Sequence, residues 1–159
     1  MSFRIGFGTD IHRLVEGRPL ILGGVRVESE LGADGHSDAD VVMHAAADAV
    51  LGSLALGDIG AHFPNDEERW RNAESSQFLS YAAALVRDRG FAIQNLDCVI
   101  HLERPKLRPY IADMRRNVSE ALGIDVADVS IKAKTGEGLD AVGTSGAVSA
   151  QVAVLIHKN

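Results

Sequence analysis

The sequence predicts a single domain of α/β (α+β) layers. β-rich segments alternate with helical segments along the chain, which is typical of folds in which helices pack on a sheet. The chain has 159 residues, of which 46% are hydrophobic, and this is enough to bury one well-formed core. No repeat, low-complexity tract or linker interrupts the pattern. We therefore expect one domain over residues 1–159.

The first third of the chain predicts strands followed by a long helix. Residues 3–14 mix β-forming side chains with glycines, and residues 20–27 are typical of two short strands around a Gly-Gly turn. The Ala-rich segment 41–56 has a helical composition and ends before Gly57. Ser37 precedes this segment, so we expect it to be the N-cap of the helix.

Later segments continue the alternation of strands and helices. A polar loop over 58–66 leads to a second helix, which Ser75 or Ser76 caps and which ends near Arg89, before Gly90. The rest of the chain is predicted to form a strand over 91–102, a helix over 109–122 and two strands over 129–133 and 147–156.

Charge and cysteine content narrow the classes of function. The net charge of −6 gives no positive field to attract DNA or RNA, so we expect no nucleic-acid partner. An acidic protein that binds phosphates needs metals, backbone N–H groups or helix N-termini at the site. The single cysteine, Cys98, lies in an apolar run and is expected to be a buried thiol in a reducing, cytoplasmic location. Residues 3–8 lack the features of a signal sequence, and we expect no membrane span.

Asp10 and His12 lie at the end of the first predicted strand. Side chains two residues apart in a strand point to the same face, so the carboxylate and the imidazole can reach one ion. One Asp and one His with a further protein ligand suit Zn²⁺ with an open position, as in catalytic zinc sites. The Asp-x-His motif alone does not establish a metal site.

His44 lies in the middle of the predicted Ala-rich helix. Asp40 and Asp48 are one helical turn before and after it on the same face. A metal-bound imidazole usually donates its other N–H to a carboxylate or carbonyl, and either aspartate could accept that bond. The alternative is a helix histidine paired with carboxylates for local stability. Three further histidines have no such neighbours and are expected to be ordinary: His62, His101 and His157.

Two segments have the chemistry to hold phosphate groups. His36 and Ser37 precede the Ala-rich helix, so a donor side chain lies beside the helix N-terminal N–H groups, although simple capping is the alternative. Residues 132–138 run from a strand into a Gly-flanked turn that carries Thr135 and Glu137. A hydroxyl, cations and a carboxylate suit phosphate contacts made directly and through a hard divalent ion, whereas the alternative is an ordinary surface loop.

Together these motifs resemble those of the 2-C-methyl-D-erythritol 2,4-cyclodiphosphate synthase family of the non-mevalonate isoprenoid pathway. They occur in the family's order and cover nearly the whole chain. The most specific part is a His-Ser-Asp-x-Asp helix start followed by Leu-Gly-Asp-Ile-Gly. The resemblance is carried by Asp10-x-His12, residues 36–40 with His44, and residues 56–60, 63–64, 104–107 and 132–135.

The resemblance implies a mixed β-sheet with helices packed on one face, and strands that face the axis of a homotrimer with active sites between subunits. It also implies two metal sites. Glu137 would hold Mg²⁺ or Mn²⁺ together with the substrate phosphates, and His36 and Thr135 match the positions that stabilise the transition state. The zinc ligands would be Asp10, His12 and His44.

The resemblance further implies which residues contact the substrate. Residues 36–37 would hold the methylerythritol phosphate, and residues 58–67 would border it. Residues 102–108, the cytosine segment, would receive the base, and residues 134–137, the phosphate turn, would line the diphosphate. The full set is Asp10, Ile11, His12, His36, Ser37, Asp58, Ile59, Gly60, Phe63, Pro64, Asn65, Asp66, Glu67, Leu102, Glu103, Arg104, Pro105, Lys106, Leu107, Arg108, Lys134, Thr135, Gly136 and Glu137.

The implied reaction is intramolecular. The 2-phosphate of 4-diphosphocytidyl-2-C-methyl-D-erythritol 2-phosphate attacks its own β-phosphorus and releases CMP, which gives the cyclic diphosphate used in isoprenoid biosynthesis. Two other classes of function are open alternatives: a metal-dependent phosphodiester hydrolase and a noncatalytic binder of isoprenoid diphosphates. Ala141 and residues 144–146 stand where many bacterial members have an aromatic residue and Arg-Gly-Glu, which disfavours an isoprenoid diphosphate site on the trimer axis.

Overall fold

The computed structural model describes residues 2–64, 67 and 70–159. Its strands are β1 (Phe3–Glu16), β2 (Leu20–Leu22), β3 (Val25–Val27), β4 (Leu31–Ala33), β5 (Phe91–His101), β6 (Val129–Lys134) and β7 (Ala147–Lys158). Its helices are α1 (Val41–Ser53), α2 (Ile59–His62), α3 (Ser76–Asp88), α4 (Ile111–Leu122) and α5 (Asp140–Gly143), with 3₁₀ turns at Arg108–Tyr110 and Val126–Asp128. Within the described ranges, no helix has the length and apolarity needed to cross a bilayer.

The main sheet has five strands in the order β4-β1-β7-β5-β6, and β2 pairs with β3 in a separate hairpin. β7 is antiparallel to β1 and β5, whereas β5 and β6 are parallel. The parallel pair needs a crossover connection, and α4 supplies it. Helix α1 packs on β1 and β7, while α3 and α4 extend the helical layer towards β5 and β6. The predicted α+β fold with a mixed sheet and one helical layer is therefore confirmed.

Helix α1 approaches β1 closely because the strand carries glycines at the contact. A Cβ atom at Gly8 would lie 2.1 Å from the carbonyl oxygen of Ala45, and one at Gly6 would meet α1 in the same way. A larger residue at either position would force the two elements apart. Because β1 and α1 carry the predicted zinc ligands, this close packing brings those ligands together.

The start of α1 differs from the prediction, because Asp40 rather than Ser37 is its N-cap. The Asp40 side chain accepts hydrogen bonds from N–H groups in the first turn of the helix. It also accepts the N–H groups of Gly23 at 2.9 Å and Gly24 at 2.6 Å, which ties the β2–β3 hairpin to the helix. Burial raises the pKa of Asp40 to about 6. Serine and aspartate are comparable N-caps, so the sequence did not distinguish these two positions.

The other predicted elements are confirmed to within a few residues at their ends. Among the residues that the structure describes, the prediction missed three short strands and α-helices: β4, α2 and α5. Each has only three or four residues, too few to show a hydrophobic period.

Candidate active site

Asp10, His12 and His44 form one cluster where β1 meets α1. Oδ2 of Asp10 lies 3.1 Å from Nε2 of His12 and 2.9 Å from Nδ1 of His44, and those two nitrogens are 3.4 Å apart. A tetrahedral zinc ion with bonds of about 2.0–2.1 Å has ligand-to-ligand distances of roughly 3.3 Å. The three atoms therefore have the chemistry and the spacing of a divalent metal site.

The electrostatics of the cluster favour an ionised Asp10. Burial acts to raise the pKa of Asp10, but hydrogen bonds and charge interactions with His12 and His44 outweigh burial and hold that pKa well below its usual range. Burial acts to lower the pKa of His12, but the hydrogen bond and charge interaction with Asp10, together with the interactions with Asp34, outweigh burial, so the pKa of His12 is raised. In the metal-free protein the carboxylate thus favours a proton on His12, which a metal ion has to displace.

The outer nitrogen of His44 is held by two serines. Nε2 of His44 lies 2.7 Å from Oγ of Ser75 and 3.1 Å from Oγ of Ser37. The prediction that Asp40 or Asp48 accepts this bond is wrong. The Asp40 carboxylate caps α1 and holds the hairpin, and Asp48 accepts a backbone N–H from the start of α2 at 2.7 Å. Both aspartates are one turn from His44 along the helix, but they bind backbone groups.

Ser75 is the residue of the site that the sequence analysis missed. The sequence predicts Ser75 or Ser76 as the N-cap of α3; Ser75 occupies that position, but its side chain makes no capping hydrogen bond. Its exposed fraction is 0%. Ser75 and Ser76 are adjacent at the start of the helix, and a cap needs only one serine, so the pair was the available signal.

A pocket of about 290 Å³ opens at the cluster. It brings together the metal ligands, the residues that precede α1 and the start of α2, three segments that are distant in sequence. Its lining comprises Asp10, His12, His36, Ser37, His44, Asp48, Asp58, Ile59 and Gly60. Ile11 is an exception among the predicted contacts of this part of the chain, because it points to the other face of the sheet and is 60% exposed.

Residues 63–67 continue the chain beyond this pocket. Phe63 packs on Phe78 with ring centroids 4.6 Å apart, and Pro64 is half-buried. The carbonyl oxygen of Glu67 lies 3.4 Å from Nε2 of His36. Glu67 is therefore next to the pocket through His36, whereas Phe63 and Pro64 are not part of its lining. Two predicted contact residues lie outside the described residues: Asn65 and Asp66.

The phosphate turn and the cytosine segment form a second cluster. The N–H of Gly136 donates to Oε2 of Glu103 at 2.9 Å, which joins the two segments. Within the turn, the hydroxyl of Thr135 donates to Oε1 of Glu137 at 2.7 Å. Glu137 has a φ of 53°, an uncommon conformation for a residue with a side chain, and its carboxylate is exposed.

The cytosine segment is anchored by its apolar residues. Leu102 and Leu107 are buried, and the N–H of Leu102 donates to the carbonyl of Lys134 at 2.9 Å. This bond extends the pairing of β5 and β6 into the phosphate turn. Pro105 follows a cis peptide bond. The basic side chains of the segment are exposed: Arg104, Lys106 and Arg108.

The two clusters are separated within one chain. Asp10 on β1 is level with Ala150 on β7, which in turn is level with Ile100 on β5, and Ile100 is level with Ala133 on β6. Three strand spacings of about 4.8 Å put the backbones of Asp10 and Ala133 roughly 14 Å apart. The metal cluster and the phosphate turn of one chain are therefore too far apart to hold neighbouring phosphates of one diphosphate.

Comparison with known proteins decides the family, because the YgbB family matches residues 3–157. The chain belongs to the YgbB family. A YgbB relative from Salinibacter ruber, named 2-C-methyl-D-erythritol 2,4-cyclodiphosphate synthase, is 53% identical over 154 residues, which cover 97% of this chain and 98% of the relative.

Solved structures share the YgbB fold. A 2C-methyl-D-erythritol-2,4-cyclodiphosphate synthase in a CDP-bound form matches with a TM-score of 0.89 and 42% identity, over 97% of this chain and 100% of that one. The bifunctional IspDF from Campylobacter jejuni matches with a TM-score of 0.95 and 34% identity, over 99% of this chain. The present chain spans 43% of that bifunctional protein.

Proposed function

We propose that this chain is a metal-dependent phosphorus-oxygen lyase of isoprenoid precursor biosynthesis. It converts 4-diphosphocytidyl-2-C-methyl-D-erythritol 2-phosphate to 2-C-methyl-D-erythritol 2,4-cyclodiphosphate and releases CMP. The observation that carries the proposal is the pocket in which the metal ligands lie beside His36, Ser37 and Asp58. This pocket occurs in a chain that is 53% identical to a relative named for the same reaction.

The donor atoms of the two clusters fit different ions. A carboxylate and two imidazoles with an open position suit catalytic Zn²⁺, so we assign zinc to Asp10, His12 and His44. Glu137 offers a single exposed carboxylate, which suits Mg²⁺ or Mn²⁺ held jointly with substrate phosphates. When bound, such ions supply positive charge that polarises the phosphorus under attack and stabilises charge on the departing CMP.

The side chains of the protein fold the substrate back on itself. The attacking phosphate and its target are both anionic, and two unit charges ~4 Å apart repel by about 4 kcal/mol at an effective dielectric of ~20. His36 and Ser37 hold the methylerythritol phosphate, while the cytosine segment fixes the other end of the molecule. His36 donates a hydrogen bond to oxygens on which charge develops, and the Thr135 hydroxyl does so once it turns from Glu137 to the substrate. The attacking phosphate is already ionised, so no side chain has to act as a general base.

The cytidine end of the substrate fits the second cluster, which the cytosine segment and the phosphate turn form. The solved relative that carries CDP aligns over 97% of this chain, which supports a cytidine diphosphate site. Buried Leu102 and Leu107 fix the cytosine segment, and the bond between Glu103 and Gly136 holds it against the phosphate turn. A cytosine bound to this segment would leave its diphosphate to the adjoining phosphate turn.

We propose that the active assembly is a homotrimer whose strands face the axis. The face of β1 opposite α1 carries a row of large apolar side chains that are 55–74% exposed: Phe3, Ile5, Phe7 and Ile11. A contiguous apolar surface of this kind marks an interface. A closed cyclic assembly covers it and brings the phosphate turn of one subunit to the metal cluster of the next, which resolves the separation of about 14 Å.

The remaining partner and location assignments follow from charge and cysteine content. The net charge of −6 disfavours nucleic acid as a partner. Burial raises the pKa of the Cys98 thiol to about 12, so the single cysteine stays protonated and unreactive. A chain that needs no disulfide fits the reducing cytoplasm, where we place the reaction.

Incubation with substrate in ¹⁸O-labelled water tests the proposal against its rivals. Cyclisation releases CMP and a cyclic diphosphate without label, because the bridging oxygen of the new P–O–P linkage comes from the 2-phosphate of the substrate and the oxygen of the broken bond leaves with CMP. A phosphodiester hydrolase would incorporate the label, and a binder of isoprenoid diphosphates would release no CMP. Either of these results would overturn the proposal.

A further inference from the structure

We infer that Ser75 and Asp38 set the orientation of His44, as positioning residues that act through the histidine rather than on the substrate. The inference rests on the proposed metal site and adds to it two residues that lie outside the ligand set. The observation behind it is a chain of hydrogen bonds that runs from His44 through a fully buried hydroxyl to a carboxylate.

The proton of His44 has one compatible position when the site binds a metal. Nδ1 faces Oδ2 of Asp10 at 2.9 Å and Nε2 of His12 at 3.4 Å, so it is the nitrogen that belongs to the ligand set. A ligating nitrogen is unprotonated, and the proton of the neutral ring then resides on Nε2. That N–H points at Oγ of Ser75, 2.7 Å away.

The hydroxyl oxygen of Ser75 can accept a hydrogen bond from Nε2–H of His44 because the hydroxyl donates its own proton to Asp38. Its hydroxyl donates a short hydrogen bond to Oδ1 of Asp38, and its backbone N–H donates to Oδ2 of Asp38 at 2.9 Å. The exposed fraction of Ser75 is 0%, so water does not compete for the hydroxyl. With its proton on the Asp38 side, Oγ presents a lone pair to His44 and selects the tautomer that leaves Nδ1 free.

Ser37 is the second acceptor for Nε2–H of His44, but its hydroxyl is also available to a phosphate of the substrate. Its Oγ lies 3.1 Å from Nε2 of His44 and also accepts the N–H of Ala39 at 3.3 Å. Ser37 also lines the pocket of about 290 Å³ at the metal cluster. A phosphate that takes this hydroxyl weakens the hydrogen bond that Ser37 accepts from Nε2–H of His44. Ser75 does not line that pocket, and its partner Asp38 lines a separate cavity of about 520 Å³. Ser75 therefore holds His44 whether or not substrate is bound.

Zinc affinity, measured by competition with a chromophoric chelator, tests this assignment without recourse to turnover. Ser75→Ala should weaken zinc binding by about tenfold to a hundredfold, the range for loss of a hydrogen-bond partner of a metal-bound histidine. Ser119→Ala is the matched control, because Ser119 is 4% exposed and its Oγ donates to the carbonyl of Arg116 at 2.8 Å. The control should bind zinc as the wild type does.

Asp38→Asn provides a second variant that keeps the shape of the side chain and removes its charge. Asp38 is only partly buried, so we expect this variant to fold even if Ser75→Ala does not. Its zinc affinity should fall between those of the control and of Ser75→Ala. Nitrogen NMR of the zinc-loaded proteins should show a slowly exchanging Nε2–H of His44 in the wild type and the control, and fast exchange in Ser75→Ala.

The outcomes separate the inference from the function on which it rests. A wild-type protein that binds no stoichiometric zinc would contradict the proposed metal site itself. A wild-type protein that binds zinc, together with Asp38→Asn and Ser75→Ala proteins of unchanged affinity and unchanged Nε2–H exchange, would overturn the role of Ser75 and Asp38 alone.

Discussion

The metal cluster and the phosphate turn both collect charge, but the protein builds them differently. In the cluster, ligand atoms from a strand and a helix lie within 3.4 Å of one another, and His44 is also held from behind by serines. In the phosphate turn, the exposed carboxylate of Glu137 accepts a hydrogen bond from Thr135, two residues earlier in the chain.

This difference implies that binding of the two proposed ions depends on the protein to different degrees. Folding already orders the ligands of the cluster, so zinc binding does not have to bear that entropy cost and needs no substrate. A single exposed carboxylate leaves most positions of a six-coordinate Mg²⁺ to water and phosphate. We therefore expect zinc to co-purify with the protein and Mg²⁺ to bind appreciably only with substrate.

His44→Ala should break the cluster most severely. Zinc affinity should fall by more than about a hundredfold, beyond the loss expected for an outer hydrogen-bond partner, and turnover should cease. Alanine is a better helix former than histidine, so α1 should persist. Metal analysis and circular dichroism of the purified variant measure the two effects. Stoichiometric zinc in the variant would show that His44 is not a ligand.

Glu137→Gln should affect the phosphate turn and leave the cluster intact. The amide keeps the shape of the side chain but removes the charge that a weakly held Mg²⁺ needs, so turnover should fall by about a hundredfold. Zinc content should equal that of the wild type, and higher Mg²⁺ or added Mn²⁺ should restore part of the rate.

The matched control for this variant is Glu120→Gln, which neutralises an exposed glutamate on α4. It should have wild-type turnover at every Mg²⁺ concentration. Loss of zinc from Glu137→Gln, or a Mg²⁺ dependence like that of the control, would remove Glu137 from the proposed role.

Gly8→Ala tests whether the close packing of α1 on β1 assembles the cluster. Its Cβ atom would lie 2.1 Å from the carbonyl oxygen of Ala45, so the helix has to shift. The free energy of unfolding should drop by about 1–3 kcal/mol, and zinc affinity should weaken by about tenfold.

Gly52→Ala is the control for that packing, since its Cβ atom would come no closer than 4.0 Å to the carbonyl oxygen of Phe7. Replacement of a helical glycine should raise the free energy of unfolding by up to about 1 kcal/mol without changing zinc affinity. Equal zinc affinities in Gly8→Ala and Gly52→Ala would show that the cluster does not depend on this contact.

Asp48→Asn should have the smallest effect. Asp48 accepts the N–H of Ile59 rather than a bond from His44, and asparagine retains an acceptor for it. Zinc affinity should therefore stay at the wild-type value, and the free energy of unfolding should fall by no more than about 1 kcal/mol. A tenfold or larger loss of zinc affinity would restore Asp48 as the partner of the imidazole.

The sequence predicts the parts of the site that depend on local spacing, but not those that depend on tertiary packing. The pair Asp10 and His12 could be predicted because strand periodicity places both on one face, and the family resemblance supplied His44. The partner of His44 could not be predicted from helical spacing, because the acceptor came from Ser75, thirty-one residues away in the chain. Local rules rank neighbours along a helix, whereas hydrogen-bond partners across a fold depend on tertiary packing.

Prediction of the fold from the sequence has the same limit. The hydrophobic pattern located the long strands and helices, but the choice of Asp40 as the N-cap depended on the glycine N–H groups of the β2–β3 hairpin, which only the folded chain brings to the carboxylate. The relation between the metal cluster and the phosphate turn is likewise tertiary, because it depends on the strand order of the sheet.

Co-expression of His44→Ala and Glu137→Gln subunits tests most directly the central claim that each active site joins the metal cluster of one subunit to the phosphate turn of the next. In randomly mixed trimers, half of the clusters and half of the turns are intact, so about a quarter of the sites combine two intact halves. Once the homotrimers, which have no intact site, are removed, each mixed trimer has one intact site out of three, so isolated mixed trimers should recover about a third of the wild-type rate, although each variant alone is nearly inactive. A rate no higher than that of the two variants measured separately would contradict the shared site and place both halves within one chain.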